Sequence, residues 1–282
     1  MRFGFVGSYG TVHEVLRMAE EAEAHGWDGF FTWDGISIGP VDTWDPWTLL
    51  GAIATRTSRV RLGAMIFPLA RRRPWKVARE ALTVDHLSGG RLVLPVGLGV
   101  SLDGGFGKVN GEAQTNRERA ERLDEALAIL ESAWSAEPFS HTGTHYQVDG
   151  LVIAPRPVQQ PRIPVWTVAA VGYPRSMGRA ARWDGAVLQG SGTEAEPSTD
   201  DVAVTARWLH ERRAELRAQG QPVPETFDVV QHGVLPDDRG AAREHVARLE
   251  EAGATWWVES RWDATTATPE ALLAAIRQGP PR

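Results

Sequence analysis

Four ionisable side chains follow apolar, strand-like segments of this 282-residue chain, and their types suit acid–base chemistry. Asp34 follows GFFTW, His232 ends FDVVQH, and Glu259 and Arg261 follow TWWV. Because a carboxylate or an imidazole exchanges protons with a substrate, we take Asp34, Glu259 and His232, in that order, as candidates for proton transfer. For His232, the alternative interpretation is a core histidine whose hydrogen bonds are satisfied.

A candidate anion site lies in AAVGYPRSMGRAAR, which begins at Ala169. Here a predicted strand runs through Gly172 into a helix that begins at Pro174. Free N–H groups at a helix N-terminus, together with the helix dipole and Arg175, suit a phosphate. In the alternative interpretation, Gly172 only makes the turn and Arg175 faces solvent.

Two other polar clusters each have a structural alternative. The run Arg71-Arg72-Arg73 follows a predicted strand and either attracts an anionic ligand or is a solvated surface. His141 and His145 are four residues apart, but Gly143 and the β-rich residues around them favour a solvent-facing hairpin over a metal site. We therefore predict no metal.

Strands and helices alternate along the whole chain. RVRLGAMIFPLARRRPWKVAREALTVDHLSGGRLVLPVGLG, from Arg59, predicts a strand, a helix and a second strand, with Ser88-Gly89-Gly90 ending the helix. The predicted strands are 2–7, 29–33, 60–67, 91–99, 165–169, 185–189, 227–232 and 255–259. The predicted helices are 12–25, 45–56, 74–87, 117–134, 174–182, 202–219, 239–252 and 269–277.

Eight strands, each followed by a helix, predict an α/β protein with a (β/α)8 TIM-barrel fold. Residues 101–116 are glycine-rich and predict a long loop, and residues 139–152 predict a hairpin inserted between the fourth helix and the fifth strand. No low-complexity linker divides the chain, so residues 1–282 are predicted to form one domain.

Composition excludes several classes of function. The chain has no cysteine, so it forms no disulfide and no thiolate metal site. Its net charge of −6 argues against a nucleic-acid-binding surface, and no apolar run reaches bilayer length. The N-terminus begins at once with a strand-like segment, RFGFVG, and no leader precedes it. We therefore expect a cytoplasmic protein without a membrane segment.

In a TIM barrel, the active site lies where the strands end and the following loops begin. The predicted strand ends are rich in glycine and in apolar and aromatic residues, which suits a flat apolar ligand. We expect Trp33, Met65 and the Trp256-Trp257 pair to frame this pocket. One tryptophan of that pair must point towards the helices, because adjacent strand residues face opposite sides.

Longer stretches resemble a known family. They are FFTWD from Phe30, RAERLDEALAILESAW from Arg119, IPVWTVAAVGYPRSMGRAARWDGAV from Ile163, and the long segment 45–99. That segment begins with DPWTLLGAIATRTSRVRLGAMIF at Asp45 and ends with LSGGRLVLPVGLG, whose last residue is Gly99. The sequence resembles the luciferase-like flavin-dependent oxidoreductases, which include bacterial luciferase-type monooxygenases and enzymes that use the deazaflavin F420.

The resemblance implies that the ring of F420 or FMN lies in the barrel mouth, on the end of the third strand. A bulge or a non-proline cis peptide is then expected around Gly63, Ala64 and Met65. The resemblance also implies a homodimer through the second and third helices, 45–56 and 74–87. The implied cofactor contacts are Ala64, Met65, Ile66, Gly97, Gly99, Ala170, Gly172, Tyr173, Pro174, Arg175 and Gln189 or its glycine neighbours, with the phosphate at Gly172–Arg175.

The sequence departs from the family pattern in one respect. Many members have histidine after the Trp-Asp or Ser-Asp pair that ends the second strand, whereas Gly35 follows Trp33-Asp34 here. We predict an oxidoreductase that binds F420 or FMN and either passes a hydride to a small organic substrate or oxygenates it. The missing imidazole motivates an alternative, a barrel that binds the cofactor without turnover. A phosphate-binding lyase or isomerase is the third hypothesis.

Overall fold

The computed structural model describes residues 1–190 and 196–282 and divides into two compact units. The first unit contains residues Met1–Phe31, Arg59–Arg61 and Pro164–Arg282, and the second contains Thr32–Ser58 and Leu62–Ile163. Gly192, one of the glycine neighbours of Gln189, lies outside the described residues.

Helices and strands alternate as predicted, with a short 3-10 helix at Leu69–Arg71. In chain order they are β1 (Arg2–Val6), α1 (Val12–Ala24), β2 (Gly29–Thr32), α2 (Pro46–Arg56), β3 (Arg61–Ala64), β4 (Phe67–Pro68), α3 (Pro74–Ser88), β5 (Leu94–Gly97), α4 (Gly104–Gly107), α5 (Asn116–Ala133), β6 (Phe139–Thr142), β7 (Gln147–Leu151), β8 (Val165–Ala170), α6 (Pro174–Ala180), β9 (Gly185–Gln189), α7 (Thr199–Ala218), β10 (Asp228–Gly233), α8 (Arg239–Glu251), β11 (Trp256–Glu259) and α9 (Pro269–Gln278).

The first unit is built on parallel strands in the order β2-β1-β11-β10-β9-β8. One face of this sheet carries large aromatic side chains that pack over glycines. Glycine is required at these positions because a Cβ atom would overlap the ring of Phe31 or Trp166. Trp256 packs edge-on against both rings. The glycines are Gly4, Gly29 and Gly185. The spaces that these glycines leave open let the bulky rings fill this face of the sheet.

The opposite face of the same sheet packs on helices. Phe5 contacts Trp27, whose indole N–H donates to the carbonyl of Ile276 in α9 at 2.9 Å. Trp257 packs edge-on against His245 of α8. Because successive strand residues alternate between faces, Trp256 and Trp257 lie on different sides, as expected.

The second unit packs α2, α3 and α5 beside the short strands β4 and β5. Trp47 of α2 stacks on Phe67 of β4 with ring centroids 4.4 Å apart. The predicted hairpin is confirmed as the antiparallel pair β6 and β7. Glu125 of α5 holds it by accepting the N–H groups of Thr144, His145 and Tyr146.

The predicted strand 60–67 is interrupted. Leu62 pairs with Leu92 and Phe67 with Val96, so residues 63–67 on one side oppose only residues 93–96 on the other. The extra residue is a bulge and splits the strand into β3 and β4. The peptide bond between Met65 and Ile66 is cis. Both features lie at or beside the positions where the resemblance implied one of them.

Other predicted boundaries shift by a few residues where a local contact was not recognised. α7 begins at Thr199 rather than 202, because Ser198 and Asp201 form a capping box. The predicted loop 101–116 contains the single-turn helix α4, which Asp103 caps. Within the described part of the chain, every helix is too short or too polar to cross a bilayer.

Candidate functional site

In the first unit, three of the predicted site residues lie at one level near the carboxyl ends of neighbouring strands. Ala170 of β8 is in register with Gln189 of β9, and His232 of β10 with Val258 of β11. Val230 pairs with Val187, so His232, two residues further along, lies beside Gln189. Since residues two apart share a face, all three side chains belong to the face that carries Phe31, Trp166 and Trp256.

His232 has one side-chain neighbour that the sequence did not identify. The Oγ atom of Ser260 lies 3.4 Å from Nδ1 of the imidazole, and the Ser260 N–H donates to the carbonyl of Gly233 at 2.8 Å. Burial lowers the pKa of His232, although the Leu188 backbone opposes this shift. The imidazole is therefore neutral near pH 7 and able to accept a proton. No sequence motif marks Ser260, except that it follows a predicted strand end.

Glu259 occupies a different environment from His232. It pairs with Gly233, one residue beyond His232, and therefore belongs to the helix-facing side of the sheet with Trp257. Its carboxylate accepts hydrogen bonds from the Leu235 N–H, the Trp257 indole and the Arg261 guanidinium. Burial raises the pKa of Glu259, and these donors oppose the rise. Three donors already occupy this carboxylate, which favours a structural role.

The predicted phosphate segment forms an exposed turn between β8 and α6. Gly172 has φ of 77°, a left-handed conformation that favours glycine, and the Tyr173 N–H closes the turn on the Ala170 carbonyl at 3.0 Å. No side chain caps the first turn of α6, which begins at Pro174. Arg175 is exposed beside it. The fold thus exposes backbone groups and one positive charge at this turn.

In the second unit, Asp34 is buried between two arginines. Its Oδ1 accepts from Arg71 Nη2 at 3.0 Å and its Oδ2 accepts from Arg72 Nε at 2.8 Å. Its side chain is 1% exposed. An ionised carboxylate held by two guanidinium groups favours a counterion over a group that exchanges protons. Arg71 and Arg72 therefore form a buried ion-pair network, which neither alternative for the arginine run had anticipated.

The predicted ring contacts of the second unit differ in accessibility. Ala64 is buried, whereas Met65 and Ile66, between β3 and β4, are partly exposed. Gly97 ends β5 in register with Pro68. Gly99 has φ of 78°, and a Cβ atom there would lie 2.8 Å from both Phe106 and Pro68. Packing within the protein thus requires glycine at position 99.

The other sequence-predicted features occupy structural positions. Trp256 is fully buried where β11 begins, and Trp257 faces α8, so this pair does not frame a pocket at the strand ends. His141 and His145 lie 3.5 and 3.3 Å from the carboxylates of Glu125 and Glu121 on α5. The hairpin is therefore confirmed, but these two histidines face α5 and not solvent.

The resemblance implied a histidine at the position of Gly35 in many members, and the structure gives a steric reason for glycine here. A Cβ atom at Gly35 would lie 2.4 Å from the Trp33 ring and 3.1 Å from Ile38. We expect Gly35→His to lower the free energy of unfolding by about 1–3 kcal/mol through overpacking. Urea denaturation measures this. Gly107→His is the matched control, because it introduces the same side chain where open space surrounds the glycine. Equal effects of the two substitutions would contradict the steric explanation.

Comparison with known proteins identifies the family of this chain. The model of the luciferase-like monooxygenase family matches residues 2–277. An F420-dependent glucose-6-phosphate dehydrogenase of Microbacterium testaceum is 32% identical over 72% of this chain and 60% of its own length. A 4-hydroxyprotoasukamycin monooxygenase of Streptomyces nodosus subsp. asukaensis is 30% identical over 69% of this chain and 51% of its own. The matched regions thus span only half to three fifths of these relatives.

A solved structure shares the fold. The oxygenating constituent of 3,6-diketocamphane monooxygenase from Pseudomonas putida, in complex with FMN, superposes with a TM-score of 0.76 over 98% of this chain and 96% of that one, at 16% identity. The chain belongs to the luciferase-like monooxygenase family. The prediction of this family from sequence is confirmed, as is the α/β TIM-barrel fold class.

Proposed function

We propose that this protein is an oxidoreductase that uses F420 or FMN to reduce or oxygenate a small organic substrate. The observation that carries the proposal is the family match across residues 2–277. The relatives described above include a dehydrogenase named for F420 and a monooxygenase. When bound, the reduced cofactor supplies the hydride or the electrons for oxygenation, and the chain supplies binding, orientation and proton transfer.

The exposed turn at Gly172–Arg175 is the proposed contact for the cofactor phosphate. Its support is the uncapped first turn of α6, where backbone N–H groups lack intrahelical partners, and the adjacent Arg175. Ala170 and Gln189 end the strands beside this turn and share the face of His232. The ring contacts proposed in the second unit are Ala64, Met65, Ile66, Gly97 and Gly99.

His232 is the proposed proton-transfer residue. Its support is a half-buried imidazole with a lowered pKa, on the face shared with Ala170 and Gln189 and with the Ser260 hydroxyl beside Nδ1. Asp34 and Glu259 remain the other predicted candidates, but their carboxylate oxygens already accept from arginine and other donors. Among the three, His232 therefore fits a change of protonation best.

Titration of the protein with FMN and with F420, followed by its tryptophan fluorescence, tests the proposal. We expect binding of at least one cofactor, weakened about tenfold by Gly172→Ala, because alanine is strained at this φ. Gly178→Ala should leave binding unchanged, since open space surrounds both glycines and only Gly172 has a positive φ. Binding of neither cofactor at micromolar concentration would overturn the proposal and favour a lyase or isomerase.

Turnover separates an enzyme from a cofactor carrier. The reduced form of the bound cofactor is mixed with aldehydes, ketones and enones, under nitrogen and in air, and its oxidation is followed by absorbance. Steady oxidation that depends on one compound supports an enzyme. Binding without any such oxidation favours the alternative, a carrier.

A homodimer through α2 and α3 and a cytoplasmic location belong to the same proposal. Leu87 of α3 is 49% exposed and its side chain reaches Gly51 of α2. A single exposed leucine is ordinary on a monomer, so the support for the homodimer is the family resemblance. The absence of cysteine from the sequence is compatible with a reducing compartment.

A further inference from the structure

We infer that Arg71 and Asp103 form a clamp that joins the loops after β2 and β5, and that Asp34 is the counterion of this clamp and does not transfer protons. The inference deepens the proposed function and rests on it for the effect on catalysis. All the side chains of this clamp belong to the second unit.

Arg71 contacts both loops through its two terminal nitrogens. Nη1 donates to Asp103 in the loop after β5. Nη2 donates to the Asp34 carboxylate at 3.0 Å and to the Asp34 carbonyl at 2.5 Å in the loop after β2. The side chain is 5% exposed. A planar guanidinium spans two carboxylates in this way, and the point charge of a lysine does not.

Asp103 connects the same two loops through backbone groups. Its carboxylate accepts the N–H groups of Ile36 at 3.1 Å, Ser37 at 2.9 Å and Gly105 at 2.9 Å. The Gly104 N–H donates to the Ser37 carbonyl at 2.8 Å. Burial acts to raise the pKa of Asp103, but these donors and Arg71 hold that pKa below its usual value. Asp103 therefore stays ionised across the neutral range.

The charged side chains of the clamp are largely shielded from solvent. Arg72 Nε donates to the second oxygen of Asp34, so two arginines face two aspartates. Phe106 of α4 lies under the guanidinium of Arg71, 5.2 Å from its ring centroid. Both carboxylate oxygens of Asp34 accept hydrogen bonds from arginine, so a substrate would have to displace a guanidinium to reach either of them. This cost opposes a role in proton transfer.

The position of the clamp gives it a catalytic consequence. Both loops follow the carboxyl ends of strands, where TIM-barrel enzymes hold their substrates. The clamp fixes the backbone from Ile36 to Ser37 against that of Gly105. Loosening it should therefore weaken substrate binding more than it slows the chemical step.

Hydrogen exchange tests the clamp without any substrate. We expect Asp103→Asn, Arg71→Met and Arg71→Lys each to speed amide exchange at Ile36, Ser37 and Gly105 at least about tenfold, because the ionised acceptor or its guanidinium partner is lost. Arg73→Met is the matched control, since Arg73 belongs to the same run and is exposed. Unchanged exchange in the three clamp variants, or an equal change in Arg73→Met, would overturn the clamp.

Steady-state kinetics on a compound oxidised by the wild type test the role of Asp34. We expect Asp34→Asn and Arg71→Met to raise KM by a similar factor, about tenfold, with kcat within about threefold of wild type. A loss of kcat in Asp34→Asn alone would instead assign proton transfer to Asp34. If no compound oxidises the cofactor, the proposed function fails. The counterion role is then tested by hydrogen exchange alone. In that experiment Asp34→Asn must speed amide exchange at Ile36, Ser37 and Gly105.

Discussion

Replacing His232 by glutamine is expected to lower kcat about 100- to 10,000-fold, the range found for loss of a general acid or base. Glutamine keeps a polar side chain of similar size beside Ser260 but does not titrate. Stopped-flow oxidation of the reduced cofactor by a substrate measures the effect. Cofactor affinity, read from tryptophan fluorescence, should stay within about threefold of wild type, because the substitution leaves the fold and the turn at Gly172–Arg175 unchanged.

His245→Gln is the matched control for this substitution. Burial also lowers the pKa of His245, but its ring packs on Trp257 at the helix-facing side of the sheet. We expect kcat to change by less than about threefold, since His245 lies away from the proposed site. Equal losses in the two variants would show that kcat reports general destabilisation and would contradict a catalytic His232.

The pH dependence follows from the lowered pKa of His232. The neutral imidazole accepts the proton, so kcat/KM of the wild type should fall only when the pH drops below the usual histidine value of about 6.5. Stability depends on pH in the same direction. Because the pKa of His232 is lower in the folded protein than in the unfolded chain, the unfolded chain binds a proton at pH values where the folded protein does not. The free energy of unfolding therefore rises with pH between these two pKa values. The contribution of His232 to the free energy of unfolding is fully present above about pH 6.5 and is lost as the pH falls. The same pH dependence should be absent from His232→Gln.

Trp166→Ala is expected to lower the free energy of unfolding by about 3–5 kcal/mol. The indole is 1% exposed, lies over Gly185, and packs against Trp256 with ring centroids 5.3 Å apart. Removing it leaves a large cavity in a face that glycines shape around the ring. Urea denaturation measures the loss, and a small change would mean that neighbouring rings collapse into the space.

Two further tryptophan variants separate the cavity from other effects. Trp166→Phe should cost less than about 2 kcal/mol, because the ring volume is mostly kept and the indole N–H has no hydrogen-bond partner among the described residues. Trp262→Ala, at a side chain 42% exposed, should cost about 0.5 kcal/mol or less. A cost for Trp262→Ala close to that for Trp166→Ala would contradict the cavity explanation.

The fold was predictable because its signals are local. Apolar runs predicted the strands, and the start of α1 depends on a capping box between Thr11 and Glu14, which are only three residues apart. The interruption of the third strand was expected only from the family resemblance. It arises because five residues oppose four on the neighbouring strand, which depends on register and not on residue type.

From the sequence, the candidate site could be predicted only as the group of residues at the ends of the strands. The sequence placed Asp34, His232 and Glu259 there together, and nothing local distinguished their surroundings. In the structure, Asp34 is held between two arginines, Glu259 turns to the helices, and His232 shares a face with Ala170 and Gln189. A shift of one residue along a strand reverses the face, so strand-end position alone does not assign a role.

The sequence by itself determined the family, the alternation of strands and helices, and the turn at Gly172, because each depends on residues close together in the chain. Only the tertiary structure decided which partners the charged groups contact. Arg71 and Asp103 are 32 positions apart, and Ser260 lies 28 positions from His232. The partner that an ionisable side chain meets sets its pKa and its freedom to react, and long-range folding chooses that partner.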